Sequence, residues 1–438
     1  MTTTISSVRG RQILDSRGRP TLEAEVRLSD GRSALASVPS GASTGRHEAV
    51  ERRDGDPAHW RGMGVLSAAD AINSEISDRL TGSVIDSALI DRALLDLDGT
   101  ADKSRIGANA LLATSLAVVR AESMLGGVPL WQHLSGGRDV TLPLPMVNII
   151  SGGLHAGRQL DFQDFLVIPV GADSYRQALE WVGDVHAATA DILAASGYSL
   201  LKADEGGFGP ALGNHEEALE ILDRAVERAG RTLGDDVAYA LDVAASHFYD
   251  LERDTYSLAS EQRDLSAGEV IDLLEGMVQR HPIVSIEDGL AEDDWANWPD
   301  LCARLGDRVQ IIGDDLFTTH PERVRRGIES SAANAVLVKM NQIGTISETL
   351  DVVTIAKSQG WATIISARSG ETEDAALADL AVGWAGGQIK VGSITQSERL
   401  AKYNQLLRIE EQLGARAVFA GRAALAGGGG RRAARQGA

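Results

Sequence analysis

Cysteine is nearly absent. Cys302 stands alone in 438 residues, so no internal disulfide can form, and a reducing compartment, the cytoplasm, is expected. Positive charge is also scarce. Lys and Arg number 42 against 62 Asp and Glu, a net charge of -20, which argues against nucleic acid, whose phosphates require concentrated cations. A local basic pocket for a small phosphorylated ligand is still compatible with that balance, because net charge and site charge are separate matters. No run approaches the ~20 apolar residues of a membrane span. The opening MTTTISSVRG lacks the basic-then-apolar order of a signal peptide, so neither membrane nor secretion is expected. What is present is ordinary for a globular chain, 43% apolar and 24% charged, and long enough for two domains.

The first stretch reads as strands. ISSVRGRQIL, TLEAEVRLSD and RSALASVPSG alternate apolar and polar residues between Gly, Pro and Asp breaks. Val65 to Leu80, Ser87 to Leu97 and Gly107 to Met124 then place apolar residues at three- and four-residue steps, predicting helices. LSGGRDVTLPLP, with its glycines and prolines, marks a boundary near residue 138. The expected division is an N-terminal α/β domain over 1–137, a barrel over 138–425 and a flexible Gly/Arg-rich tail over 426–438.

Beyond the boundary, short β-rich runs end on a polar or charged residue, and amphipathic stretches separate them. Asp242 closes DVAYALD, Glu287 closes IVSIE, Asp314 closes VQIIGD, Lys339 closes AVLVK, Ala367 follows ATIIS and Lys390 closes GQIK. Most of these positions are roughly 25 residues apart, which fits one strand, loop and helix of a parallel barrel. An open doubly wound sheet shares that rhythm but normally carries a glycine-rich phosphate loop after its first strand. The barrel is preferred.

In barrel enzymes the reactive groups sit where strands end. Here those ends offer Asp242, Glu287 and Asp314, then Lys339 and Lys390. A trio of carboxylates without His or Cys suits Mg2+ rather than zinc. The plainer alternative is that the acids cap helices and the lysines form salt bridges with them. A lysine beside a metal can neutralise a substrate carboxylate or, with its pKa lowered, act as a base. LKADEGGFGP is expected to put Asp204 and Glu205 on a strand end before a glycine turn. VPSGASTGRHE, with Ser40, Ser43 and Thr44, has the small residues of a lid hinge.

Taken together and in order, SGASTGRHEAVERRDGD, GANALLATSLA, DEGGFGP, ALDVAAS, SIEDGLAEDDW, GDDLF, VKMNQIGT, RSGETED and AKYNQLLRIEE resemble the enolase family, from about Ser7 to Gly414. That resemblance implies an N-terminal α+β capping domain followed by an enolase-type (β/α)8 barrel beginning with an irregular ββαα order. It implies Asp242, Glu287 and Asp314 as ligands of one Mg2+, with Ser43 as a ligand of a second that arrives with substrate. It implies Lys339 as the base at C2, Glu205 as the acid at the C3 hydroxyl, and His155 on a closing loop. Asp164 is implied as a further catalytic residue and Gln163 as a substrate-binding one, with Lys390 holding the substrate carboxylate and Arg368 and Ser369 its phosphate. Family members are commonly homodimers or homo-octamers.

The chain departs from the family pattern around that site. Ala367 stands where an ordinary member has His, Asp164 where it has Glu, Ser151 where it has Asn, Val391 where it has Thr, and Gln396 where it has Arg. Because His to Ala and Glu to Asp both remove bulk, the expectation favours room for a larger substrate. The favoured reading is therefore a specialised synthase of the carboxyphosphonoenolpyruvate type, taking a phosphonate substrate in antibiotic biosynthesis. The alternatives are ordinary 2-phosphoglycerate dehydration in glycolysis and, more remotely, a non-catalytic binding or scaffold protein.

Overall fold

The computed structural model describes residues 2–42 and 44–427. Strands Ile5–Leu14, Pro20–Leu28 and Ser33–Ser37 pair antiparallel in chain order. Their apolar face packs on helix Ala108–Gly126, which is buried along most of its length. That helix begins after Gly107, whose φ of 102° and whose absent Cβ, which would lie 2.5 Å from the Arg52 side chain, admit only glycine. Helix Ser87–Asp98 is capped by the Asp86 side chain accepting from Leu89 N and ends on left-handed Gly99. The helix expected over 65–80 is present but passes through a π-helical stretch, Ile72–Ile76.

The second unit is a closed eight-stranded barrel. Its first strand, Leu144–Ser151, pairs antiparallel with Asp164–Ile168, which pairs antiparallel with Ala238–Asp242. Helices Tyr175–Ala195 and His215–Arg228 lie between the second and third strands, which gives the ββαα opening. The remaining strands, Ile283–Glu287, Gln310–Gly313, Ala335–Val338, Ala362–Ser366 and Gln388–Gly392, run parallel, and the last closes onto Leu144–Ser151. Because the second strand is reversed, its beginning lies at the rim where the others end, so Asp164 sits in register with Asp242. Side chains alternate across each strand, so inward positions climb from floor to rim in steps of two.

The floor is apolar. Leu144, Met146, Leu166, Ile168, Ala238, Ala240, Ile312 and Leu337 form the interior cluster, with Leu425, Ala424 and Phe419 packed against it from below. Two buried amides pair across it, Gln310 Nε2 donating to Gln388 Oε1 at 3.1 Å and Gln388 Nε2 donating back at 2.8 Å. Of the expected tail, Ala426 donates its N–H to Gln310 Oε1 at 3.2 Å, and Gly427 lies against Gly306. The rest of that tail lies outside the described residues.

Candidate active site

Strand geometry brings most of the expected residues to one rim. Asp242 and Glu287 end neighbouring strands in register and are almost fully buried. Between them lies Lys390, whose Nζ donates to Asp242 Oδ2 at 2.8 Å and to both Glu287 oxygens at 2.8 and 2.7 Å. Gln163 Nε2 donates to the same Asp242 oxygen at 3.1 Å. Asp314 faces the other lysine, since Lys339 Nζ donates to its Oδ2 and Gln342 Nε2 to its Oδ1 at 2.9 Å. Both lysines are thus ion-paired to the carboxylates. Burial works against Lys390, yet Asp242 and Glu287 outweigh it and hold the amine well above its ordinary range.

Two groups of three potential metal ligands converge among the described residues, with ligand atoms within 4.8 Å of one another: Asp288, Asp314 and Asp315, and His155, Asp164 and Glu205. The expected trio of Asp242, Glu287 and Asp314 is not one of these groups. Asp242 and Glu287 turn to Lys390, while Asp314 is drawn to Lys339, Gln342 and the Asp288 turn. Asp288 orders that turn by accepting the N–H groups of Asp314 and Asp315 at 2.9 and 2.8 Å.

Seven carboxylates, Asp164, Glu205, Asp242, Glu287, Asp288, Asp314 and Asp315, are buried at this end, against the cations Lys339, Lys390, His155, Arg368 and Arg399. Burial, with Asp314 beside it, pushes Asp315 well above the usual carboxylate range, and burial with Asp315 does the same to Asp288. A hard divalent cation fits this all-oxygen surplus of negative charge.

Opposite the lysines, His155 Nδ1 lies 3.0 Å from Asp164 Oδ2, and its Nε2 lies 3.9 Å from Glu205. Burial lowers His155, but Asp164, Glu205 and Asp242 together outweigh it and raise the ring to about 9. Glu205 is opposed by burial but held below its ordinary value by His155, Arg399 and the two lysines. The expected strand end for Glu205 is a correction. Ala203–Gly207 form a turn, closed by Ala203 N donating to Gly207 O at 2.8 Å, lying between two helices. The turn needs Gly206 at φ 87°, and only the flanking Phe208 bridges to the barrel, at Ile150, so Glu205 stands on the turn and not on a strand. Nearby, Gly392 at φ 114° lets the last strand approach Glu205 O, 2.8 Å from where a Cβ would stand.

Arg368 and Ser369 follow strand Ala362–Ser366 and meet the first domain. Arg368 donates to both oxygens of Glu48, at 2.9 and 3.0 Å, and to Asn341 Oδ1 at 3.0 Å. Ser369 Oγ accepts from Ala42 N at 2.7 Å and Arg17 Nη1 at 3.3 Å. Ser40 and Gly370 exchange backbone hydrogen bonds at 2.8 and 2.9 Å, fastening the loop to the barrel. Beside these contacts lies a cavity of about 380 Å³ lined by Ala42, Thr44, Gly45, Glu48, Arg53 and Asn341, among others. Ser43 lies outside the described residues. Sequence reasoning missed Glu48, Asn341 and Gln342, which sat inside quoted motifs. It also missed Arg399, whose guanidinium binds the carbonyl oxygens of Arg368 and Ser369, each at 2.6 Å.

A barrel rim that buries paired acids and lysines beside a closing loop defines an acid–base enzyme assisted by a hard metal ion. Residues 5–134 match the family model described as Enolase, N-terminal domain, and residues 139–427 that of Enolase, C-terminal TIM barrel domain. A protein named Enolase from Rubrobacter xylanophilus is 50% identical over 420 residues, covering 96% of this chain and 97% of that protein. One of the same name from Mycobacteroides abscessus is 52% identical over 418 residues, covering 95% and 96%. The chain belongs to the enolase family and is a carbon–oxygen lyase.

These relatives overturn the synthase expectation, and with it the phosphonate substrate and the link to antibiotic biosynthesis. In the structure Asp164 lies beside His155 and accepts from Ser151 Oγ at 2.8 Å and from Asn148 Nδ2, so its carboxylate is engaged by neighbouring side chains.

Proposed function

We propose that the chain is an ordinary phosphopyruvate hydratase, converting 2-phosphoglycerate to phosphoenolpyruvate and water. The observation that carries this is the opposition of Lys339 to the His155–Glu205 pair across a rim of buried carboxylates, in a chain similar along its length to proteins named Enolase.

Asp242, Glu287 and Asp314 would hold Mg2+, and Ser43 a second ion arriving with substrate. Bound there, Mg2+ supplies positive charge beside the substrate carboxylate, where charge accumulates as C2 loses its proton. Lys390, a buried ammonium beside Asp242 and Glu287, would hold that carboxylate, and Lys339, whose charge is sustained chiefly by Asp314, would accept the C2 proton at Nζ once the Asp314 carboxylate is engaged elsewhere. Arg368 and Ser369 hold the phosphate. Glu205, ionised at rest, would relay a proton from the protonated His155 ring to the departing C3 hydroxyl, while Asp164 and Gln163 fix their neighbours in place.

No helix among the described residues is long and apolar enough to cross a membrane, and the reading places the protein in the cytoplasm as a homodimer or homo-octamer. The test is turnover of 2-phosphoglycerate, followed by the absorbance of the enolpyruvate product, before and after chelation. Loss on chelation and recovery with Mg2+ is the expected result. Sustained turnover without divalent metal, or none with it, would refute the proposal.

A further inference from the structure

One buried guanidinium touches the backbone at or beside each group proposed to hold a polar end of the substrate. Arg399, on helix Ser397–Leu413, has no exposed surface. Its Nη1 donates to Arg368 O at 2.6 Å and to Val391 O at 2.9 Å. Its Nη2 donates to Ser369 O at 2.6 Å and to Asp204 O at 3.5 Å. Arg368 and Ser369 are the phosphate holders, Val391 follows Lys390, and Asp204 precedes Glu205.

The helix gains little from this residue. Arg399 is third in Ser397–Leu413, and a cation in the first turn opposes the helix dipole. Glu398 Oε1 lies 3.4 Å from its Nε, yet neither atom is in a hydrogen bond. An apolar side chain would fill the space without burying a charge. The loop after Ser366 also has an anchor of its own. Lys402, one turn further along the helix, donates to Thr372 O and lies 2.9 Å from Glu371 Oε2. Glu371 Oε1 in turn accepts from Arg368 N at 3.1 Å. What Arg399 adds is a link from that loop to Val391 and Asp204.

The backbone is shaped to let the link form. A Cβ on Gly392 would lie 3.2 Å from Arg399 Cδ, as well as against Glu205 O. Ser393 N donates to Glu205 O at 2.8 Å, and Thr395 Oγ1 to Gly206 O at 3.0 Å. The end of the last strand, the Glu205 turn and the guanidinium therefore meet at one junction. A planar fork holds its donors at fixed angles, so it turns these contacts into fixed separations, which a flexible ammonium does not.

We propose that Arg399 is a positioning residue that sets the distance between the phosphate-holding segment and the Glu205 turn, an inference that rests on the phosphopyruvate hydratase reading. Lys390 depends on it less, because its own backbone is held in the barrel, where Lys390 O accepts from Ala367 N at 2.9 Å. Arg368, Ser369 and the turn lie outside the strands and depend on it more. Lys339 takes its partner from Asp314 instead. Loosening the fork therefore disturbs loss of the C3 hydroxyl, which needs the phosphate and Glu205 in register, more than removal of the C2 proton.

The test compares the parent with Arg399→Lys on 2-phosphoglycerate and Mg2+ in deuterated water. Product is followed by absorbance, and deuterium at C2 of the unreacted substrate by mass spectrometry. Dehydration is expected to fall about 10- to 100-fold, and exchange divided by dehydration to rise about tenfold, because a misplacement of ~1 Å can cost ~100-fold. Both rates come from the same folded molecules, so a loss of stability alone would lower them together. An unchanged ratio overturns the proposal. The parent gives a second reading that needs no variant. Inorganic phosphate with Mg2+ should slow amide hydrogen exchange at residues 368–370 and, across the fork, at Gly206 and Ser393, whose N–H groups bond Ala203 O and Glu205 O. Protection confined to 368–370 also overturns it. A parent that does not turn over 2-phosphoglycerate, or that shows no protection at 368–370, would instead strike the reading beneath the inference, and the inference with it.

Discussion

The two ends of the barrel use the same strands for opposite purposes. Strand Leu144–Ser151 sends Leu144 and Met146 into the floor and Asn148 to Asp164 at the rim. Strand Ala238–Asp242 does the same with Ala238 and Ala240 below and Asp242 above. Below, apolar side chains exclude water, and the buried amides Gln310 and Gln388 bond each other with Ser285 Oγ, Ala424 O and Ala426 N as further partners. Above, buried acids outnumber their cations, an arrangement that opposes folding and is relieved when charge of the right sign arrives. Stability is thus concentrated at one end and reactivity at the other, and substitutions at each should separate the two.

The largest effect expected is at the rim. Lys339→Ala should lower turnover by about 10²- to 10⁴-fold, the range for losing a positioned base, and abolish exchange of the C2 proton with solvent. With Mg2+ holding Asp314 its melting temperature should stay near that of the parent, whereas the metal-free variant, with Asp314 left without its buried partner, should melt lower. A variant that exchanges the proton at the parent rate would remove Lys339 from the chemistry.

Next comes the floor. Leu144→Ala removes a fully buried side chain and should cost about 3 kcal/mol in denaturant unfolding, while the activity of the folded fraction holds. A fall in activity per folded molecule as large as that in stability would show that the two ends are not separable.

A comparable but pH-dependent effect belongs to His155. Its folded value of about 9 lies above the ordinary 6.5, so its contribution is complete below pH 6.5 and is lost as pH rises through 9. For the metal-free protein that contribution is up to about 3 kcal/mol, seen as a fall in unfolding free energy across this window. His155→Asn should flatten the profile; an unchanged slope would assign the titration elsewhere.

The smallest effect sharpens the account of the enclosed acid. Asp164→Glu adds one methylene among Asn148, Ser151 and His155 and should cost about 1–2 kcal/mol through overpacking. Added stability instead would mean that the shortened acid does leave space.

Much of this contrast was legible in the sequence because a barrel strand is a short apolar run whose last residue faces the rim. Asp242, Glu287 and Lys390 were found that way. Asp164 was not, since its strand runs backwards and presents its first residue, and only the family resemblance drew attention to it. Glu48 and Arg399 were invisible for another reason: their partner segment, Arg368 and Ser369, is distant in sequence from Glu48 and is reached from Arg399 through backbone carbonyls. Ala367 misled because a lost side chain was read as a change of substrate, which relatives named Enolase along nearly the whole chain contradict.

The clasp between Glu48 and Arg368 makes anion binding an exchange rather than an addition. The guanidinium already holds a carboxylate from the other domain at two points, and Asn341 holds it at a third. If Arg368 takes the phosphate as proposed, an arriving phosphate would displace Glu48, and the affinity measured would be the difference between two ion pairs. Glu48 also accepts from Gly45 N at 2.9 Å, so its displacement would tug on the loop that carries Ala42 to Ser369. On product release Glu48 would return to the seat, and the site would reset itself with an anion that the protein never has to wait for.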